Sequence, residues 1–93
     1  MSDVYQALSS PVRRKILSLL KERDMSAGEV AERVDVAKST LSGHFNILKN
    51  ANLIISNKTG TTVTYSINTS VVEDLLSHMF ELFGNPNAVI REK

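Results

Sequence analysis

The sequence predicts a mainly α-helical fold with one β-hairpin, in the order α-α-α-α-β-β-α. Apolar residues recur every three or four positions in the longer segments, which is the spacing of one helix face. Two runs rich in β-branched residues, 53–56 and 62–67, flank Gly60 and predict the hairpin. A chain of 93 residues with no internal repeat predicts one domain over residues 1–93.

Composition excludes several kinds of site. The chain has no cysteine, which excludes disulfides, thiol redox sensing and cysteine metal sites. It has no run of 18 apolar residues, and its first residues lack the basic-then-apolar order of a secretion signal. We therefore expect a cytoplasmic protein with no membrane insertion.

Charge is unevenly distributed, although the formal net charge is only +1. Residues 33–58 contain four basic side chains against one acidic side chain, Asp35. Residues 71–83 contain three acidic side chains and no lysine or arginine. This segregation predicts that the middle of the chain faces an anion and that the end does not.

Two short helices are predicted at the start of the chain. The first covers residues 3–8, and the second begins at Pro11 with Ser10 as its cap. The only run of basic residues, 13–15, follows. We expect Arg13 to brace the fold, with direct phosphate contact as the alternative.

Residues 26–50 predict two helices joined by a tight turn. Ser26 and Glu29 have the spacing of a capping box, and this helix ends near Arg33. A four-residue turn, 34–37, follows, in which Asp35 suits a left-handed conformation. The next helix begins at Lys38. This is the helix-turn-helix pattern, whose second helix can enter the major groove of DNA.

The second helix of this pair predicts one apolar and one polar face. Leu41, Phe45 and Leu48 share the core side, whereas the opposite side carries short, uncharged polar residues. A merely solvated face would more often carry Glu, Lys and Gln, which are better helix formers. We expect the polar side chains to bond base edges or phosphates, and the hairpin tip to contact the backbone as a wing. The predicted DNA-binding residues are Lys38, Ser39, Thr40, Ser42, Gly43, His44, Asn46, Lys49, Lys58 and Thr59.

The last predicted helix opens with a second capping box, Ser70 and Glu73, and carries two apolar stripes. The stripes are Val71, Leu75, Met79 and Leu82, and beside them Val72, Leu76, Phe80 and Phe83. One stripe can serve the domain's own core, and a second copy of the chain is the natural cover for the other. Residues 84–93 are expected to be a flexible tail.

The chain resembles the ArsR-type winged helix-turn-helix repressors over nearly its full length. "LSSPVRRKILSLL" is similar to their second-helix signature, "SAGEVAERVDVAKSTLSGHFNILKNANLI" to their helix-turn-helix and "KTGTTVTYSIN" to their wing. Its small size and "YSIN" strand end resemble most the subgroup of small SdpR-like autorepressors. The resemblance implies a homodimer that binds a palindromic promoter operator. It implies an interface from the first and last helices, namely Val4, Tyr5, Leu8, Val72, Leu75, Leu76, Met79, Phe80 and Phe83.

The sequence departs from the family pattern at three positions. Gly43 replaces a bulkier residue, which either permits close approach of the backbone to DNA or loosens the helix. Ala37 replaces a capping serine, so the helix start is weakly capped. Thr61 leaves Lys58 as the only charge of the wing.

No metal or other cofactor is expected, although many relatives sense metals. Ser26, Ala27 and Gly28 occupy the positions of the family's Cys-x-Cys pair. Asp74 and His78 lie four residues apart, which predicts an ordinary surface pair, because zinc usually takes three or four ligands.

Two other functions stay open. The first is a winged-helix module for protein–protein contact, which the modest net charge favours. An enzyme is remote, since there is no phosphate loop and no nucleophile–base pair, and His44 has no acid to orient it. For a repressor, a regulatory protein partner is a further hypothesis, because a chain this small predicts no room for a large inducer pocket.

Overall fold

The computed structural model describes residues 4–84, which form five helices and a small sheet. The elements are α1 (Val4–Leu8), α2 (Pro11–Glu22), β1 (Met25–Ser26), α3 (Ala27–Arg33), α4 (Lys38–Asn50), β2 (Ile54–Thr59), β3 (Thr62–Ile67) and α5 (Thr69–Phe83). The predicted helices and hairpin are therefore confirmed. The predicted tail lies outside the described residues, except for Gly84.

The sheet has one strand more than the predicted hairpin. Its order is β1-β3-β2 with antiparallel pairing throughout, and β1 places Met25 opposite Tyr65. A strand of two residues is too short to show an alternating pattern in sequence, and it exists because β3 pairs with it. The added strand fixes the start of α3 to the hairpin.

The hairpin closes through the two-residue loop that follows Thr59. Thr59 pairs with Thr62, and Gly60 has a φ of 63°. Positive φ at the first loop position is what a tight hairpin demands, and glycine adopts it without steric cost. The tip of the wing is thus set by Gly60, as predicted.

A single core lies between the helices and the sheet. Its fully buried large side chains are Ile16, Val30, Leu41, Leu48 and Leu53. They come from α2, α3, α4 and the approach to β2, so each long element before the hairpin contributes. The predicted core side of α4 is confirmed, because Leu41, Phe45 and Leu48 are all buried.

The turn between α3 and α4 has the predicted bounds and a different conformation. Val34 and Ala37, at its two ends, are both extended. The expected left-handed Asp35 is wrong, because Asn52 is the residue other than glycine with positive φ in the described chain. The turn therefore contains no left-handed residue.

Two predictions about α5 are corrected. The helix begins at Thr69, so its cap is Asn68, whose Oδ1 accepts from the Val71 N–H at 3.5 Å, and the box of Ser70 and Glu73 is wrong. No stripe runs into the core along its whole length: Val71, Val72 and Leu75 pack against the core, and no residue of α5 is fully buried. The apolar residues that contact the core and those that are exposed are therefore separated along the axis of α5, and do not form two parallel stripes. None of the helices in residues 4–84 is long and apolar enough to cross a bilayer.

Candidate nucleic-acid interface

The predicted DNA-binding residues of α4 lie on the part of the helix surface that is not buried in the core. The side chains of Lys38, Ser39, Thr40, Ser42, Asn46 and Lys49 are exposed, and His44 is half-buried. Gly43 lies among them, and a Cβ built there meets no atom within 4 Å. Gly43 is therefore not required by packing inside the domain. The face offers hydroxyl and amide groups with a cation near each end, which suits base edges and phosphates.

The start of α4 has no side-chain cap. Ala37 occupies the cap position, and only its carbonyl takes part, accepting from the Leu41 N–H at 2.9 Å. The weak capping predicted from the sequence is confirmed. The first N–H groups of the helix remain open to an external acceptor, and a phosphate is the acceptor that such a helix end favours.

The β2–β3 hairpin, which forms the wing, packs on α4 through two aromatic rings. Phe45 and Tyr65 stack with 4.1 Å between ring centroids and 7° between ring planes. Lys58 and Thr59, at the end of β2, are exposed as predicted. The same helix that carries the polar face therefore also holds the strand that returns from the wing.

The end of α4 is set by a left-handed asparagine that the sequence analysis missed. Asn52 has a φ of 61°, and its N–H donates to the Lys49 carbonyl at 2.9 Å. The Leu53 N–H donates to the Leu48 carbonyl at 3.0 Å, and both leucine side chains are buried. These bonds form a Schellman motif, and its signal was an Asn flanked by apolar residues directly after the helix. It turns the chain from α4 into β2.

Arg13 braces the fold and contacts His44 on α4. The residue is 7% exposed. Its Nε donates to the Ala7 carbonyl at 2.8 Å and its Nη2 to the Gln6 carbonyl at 2.9 Å. Its Nη1 lies 3.0 Å from His44 Nδ1. The predicted bracing role is confirmed, whereas the partner on α4 was not foreseen.

Two electrostatic shifts accompany this arrangement. Burial, together with the nearby Arg13 charge, lowers the pKa of His44. At the start of α3, the hydrogen bond from the Ser26 N–H and then Arg23 lower the pKa of Glu29. The Glu29 N–H in turn donates to Ser26 Oγ, so the predicted capping box is confirmed. The Arg23–Glu29 ion pair is exposed on both sides, so it adds little stability.

Large apolar side chains are exposed on α1 and α5. On α5, Leu76, Met79, Phe80, Leu82 and Phe83 are exposed, and Tyr5 on α1 is 69% exposed. The other residues of the predicted dimer interface, Val4, Leu8, Val72 and Leu75, are half-buried against the core. Exposed apolar residues at this density are typical of surfaces that contact other molecules.

A groove of about 700 Å³ lies between α2 and α5. Leu17, Leu53 and Val72 line it together with Arg14 and Glu73. The expectation that the chain has no room for a large pocket is therefore wrong.

In the described part of the chain, acidic and histidine side chains do not gather into a metal site. Within residues 4–84, no group of three or more His, Cys, Asp or Glu side chains is placed to hold an ion. Asp74 and His78 are both exposed, and the ion pairs of this part of the chain do not include them.

Comparison with known proteins agrees with this arrangement. The family model described as bacterial regulatory protein, arsR family, matches residues 10–56. The transcriptional repressor SdpR of Bacillus subtilis is 46% identical over 90% of this chain and 93% of that protein. The transcriptional activator HlyU of Vibrio cholerae is 27% identical over 90% of this chain and 78% of that protein. The crystal structure of Mycobacterium tuberculosis Rv0081 superposes with a TM-score of 0.71 at 32% identity, covering 84% of this chain and 79% of that one.

The matched segment of the family model contains α3, the turn, α4 and the start of β2. It therefore includes the exposed polar face of α4 and ends within the first strand of the hairpin. The chain belongs to the ArsR family of bacterial regulatory proteins, as a winged helix-turn-helix transcriptional regulator that binds DNA.

Proposed function

We propose that this regulator is a homodimeric repressor that places α4, its recognition helix, in the major groove of a palindromic operator. One observation carries the proposal: short polar side chains cover the outside of α4, while Leu41, Phe45 and Leu48 anchor its other side in the core. A rigidly held helix presents its side chains to the base edges with a fixed register. Ser39, Thr40 and Asn46 have the donors and acceptors for that contact.

Phosphate contacts would come from three places around the helix. Lys38 and Lys49 lie at the two ends of α4, and Lys58 lies near the tip of the wing. The open N–H groups after Ala37 supply a fourth donor set that does not depend on a side chain. Few cations are involved, so we expect the affinity to depend on salt less steeply than in strongly basic DNA-binding proteins.

A homodimer is supported by the exposed apolar residues of α1 and α5. In a single chain they face water, and a two-fold partner would cover them with the same residues. The symmetric dimer places two α4 helices about one helical turn of DNA apart, which predicts half-sites at that spacing. We add Leu82 to the interface proposed from the sequence, because its side chain is as exposed as that of Tyr5.

Repression is the mode of action that the relatives support best. Relatives include both a repressor and an activator, and the repressor shares the higher identity. We propose that the protein acts in the cytoplasm, without a cofactor and without catalysis, and that control of its own gene is one role.

In vitro selection from random double-stranded DNA at about 150 mM salt tests this proposal, since salt sets the strength of phosphate contacts. Wild type is compared with Ser39→Ala/Thr40→Ala, and with Ser66→Ala as a matched loss of a hydroxyl on β3. We expect a palindromic consensus that the double variant loses and the control retains. No enrichment by wild type would contradict the proposal.

A protein-interaction module is the second candidate, because the apolar part of α5 is as prominent as the polar face of α4. It predicts tight association with a different protein and no DNA preference. The same selection separates the two functions. A regulatory protein partner that releases the repressor from DNA is compatible with the first function, and competition between that partner and operator DNA would test it.

A further inference from the structure

We propose that Arg13 is a positioning residue that holds His44 neutral with its Nε2–H turned toward DNA, so that His44 donates a hydrogen bond to a DNA acceptor. The inference deepens the proposed function and rests on it for the DNA contact. The hold of Arg13 on His44 is a property of the free protein and is independent of DNA.

The direction of the bond follows from the chemistry of the two groups. A guanidinium has only N–H donors, so the contact of 3.0 Å between Arg13 Nη1 and His44 Nδ1 requires a lone pair on Nδ1. A ring with a lone pair on Nδ1 is neutral and carries its proton on Nε2. The free end of His44 is therefore a hydrogen-bond donor.

Arg13 is itself fixed by contacts that leave it little freedom. Its other nitrogens donate to the carbonyls of Gln6 and Ala7 at the end of α1, and it is almost completely buried. Among the described residues, Arg13 is the charged group that contacts His44. The side chain thus joins α1, α2 and α4, and the ring of His44 cannot rotate without breaking this bond.

The free nitrogen of His44 points away from Arg13, because the two ring nitrogens of an imidazole face different directions. His44 is half-exposed and lies one helical turn after Thr40, on the border of the polar face of α4. A neutral N–H donor at that place fits a phosphate oxygen, or N7 or O6 of a guanine. It contributes hydrogen bonding without charge.

Two substitutions of His44 separate its two nitrogens. Asparagine places an acceptor near Nδ1 and leaves nothing at Nε2, whereas glutamine reaches the Nε2 position and offers no acceptor at Nδ1. We expect His44→Asn to unfold like wild type and to bind the selected DNA about tenfold more weakly. This is about threefold for each of the two hydrogen bonds that a dimer would lose, which is within the range of a neutral hydrogen bond. Its salt dependence should be unchanged, because no charge is lost. We expect His44→Gln to be less stable.

Nitrogen-detected NMR of the histidine rings tests the role of Arg13 in full-length protein. The chain has two histidines, and His78→Asn assigns the signals. We expect an unprotonated Nδ1 in His44 at neutral pH, and a higher titration midpoint in Arg13→Met. Arg14→Met is the matched control, because Arg14 donates to the Leu8 carbonyl and not to His44.

Each result decides one part of the inference. A protonated Nδ1, or an unchanged midpoint in a folded Arg13→Met, overturns the hold of Arg13 on His44. If Arg13→Met does not fold, the stability of His44→Gln decides instead. A His44→Gln variant as stable as wild type would then overturn the hold of Arg13 on His44. Wild-type DNA affinity in His44→Asn overturns the donor role. If wild type selects no DNA, the proposed function fails while the ring titration still decides the rest.

Discussion

The ring of Phe45 on α4 lies nearly parallel to the ring of Tyr65 on β3, 4.1 Å away between centroids. Tyr65 is also the strand position opposite Met25 on one side and Ser56 on the other. The recognition helix and all three strands therefore meet at one residue, Tyr65.

A double-mutant cycle measures this stack. We expect Phe45→Leu and Tyr65→Leu to show a coupling free energy of about 0.5 kcal/mol, at the low end for aromatic pairs because parallel rings oppose like quadrupoles. Urea unfolding of the two single variants and the double variant gives the value. Strict additivity would show that the rings fill space without a specific interaction.

Local patterns predicted the helix-turn-helix well. The end of α3 at Arg33 and the start of α4 at Lys38 agree with the prediction, because capping residues and apolar spacing act within a few positions. The residues of the exposed polar face followed from the same spacing. Their contacts with DNA stay predictions.

The features that the sequence did not predict depend on contacts between residues that are far apart in the chain. Strand β1 exists through its pairing with β3, and the bond between Arg13 and His44 spans 31 positions. Periodicity along α5 indicated two apolar stripes and could not indicate that the core reaches only its first turns. Its end at Gly84, by contrast, is a local signal, with a φ of 84°.

Gly43 and Gly60 allow one substitution to be tested in two environments. Gly43→Ala should raise the free energy of unfolding by about 1 kcal/mol, because a helical glycine is costly and its Cβ meets open space. Gly60→Ala should lower that free energy, because its φ of 63° strains any other residue. Thermal unfolding of both variants checks the two signs.

DNA binding by Gly43→Ala then decides between the two roles given to this glycine. We expect affinity within about twofold of wild type, since one methyl group fits a groove about 12 Å wide. A loss of tenfold or more, in a variant that is more stable, would show that the backbone of α4 approaches DNA closely at Gly43.

Ala37→Ser should stabilise the protein by about 1 kcal/mol, because a serine at the cap position accepts a bond from an open N–H of α4. Ser10→Ala is the matched opposite, since Ser10 Oγ accepts from the Arg13 N–H at 3.3 Å and its loss should cost a similar amount. Urea unfolding checks both. Equal stability of Ala37→Ser and wild type would indicate that the helix start frays in either form.

Stability should depend on pH through His44. Its folded pKa is lowered by burial and then by Arg13, so the unfolded chain binds its proton more readily. The contribution of His44 to the free energy of unfolding is therefore complete above pH about 6.5, the ordinary histidine pKa, and is lost as pH falls through the lower folded pKa. We expect urea unfolding between pH 7.5 and 5.5 to show this loss in wild type and a smaller one in His44→Asn.

The lowered pKa of Glu29 acts in a more acidic window, because its contribution is present above the ordinary pKa of a glutamate and is lost below it.

Association through α5 should depend on Phe80, which is 42% exposed in the single chain. Phe80→Glu places a charge in the proposed interface, where it would be buried without a partner, and we expect a monomer that binds operator DNA at least tenfold more weakly. Ile55→Glu is the matched control, because Ile55 is 45% exposed and lies on β2 and not on α1 or α5. Analytical ultracentrifugation at micromolar concentration gives the mass of each variant. If Phe80→Glu stays dimeric while Ile55→Glu dissociates, the partner copy covers the sheet and the interface proposed for α1 and α5 is wrong.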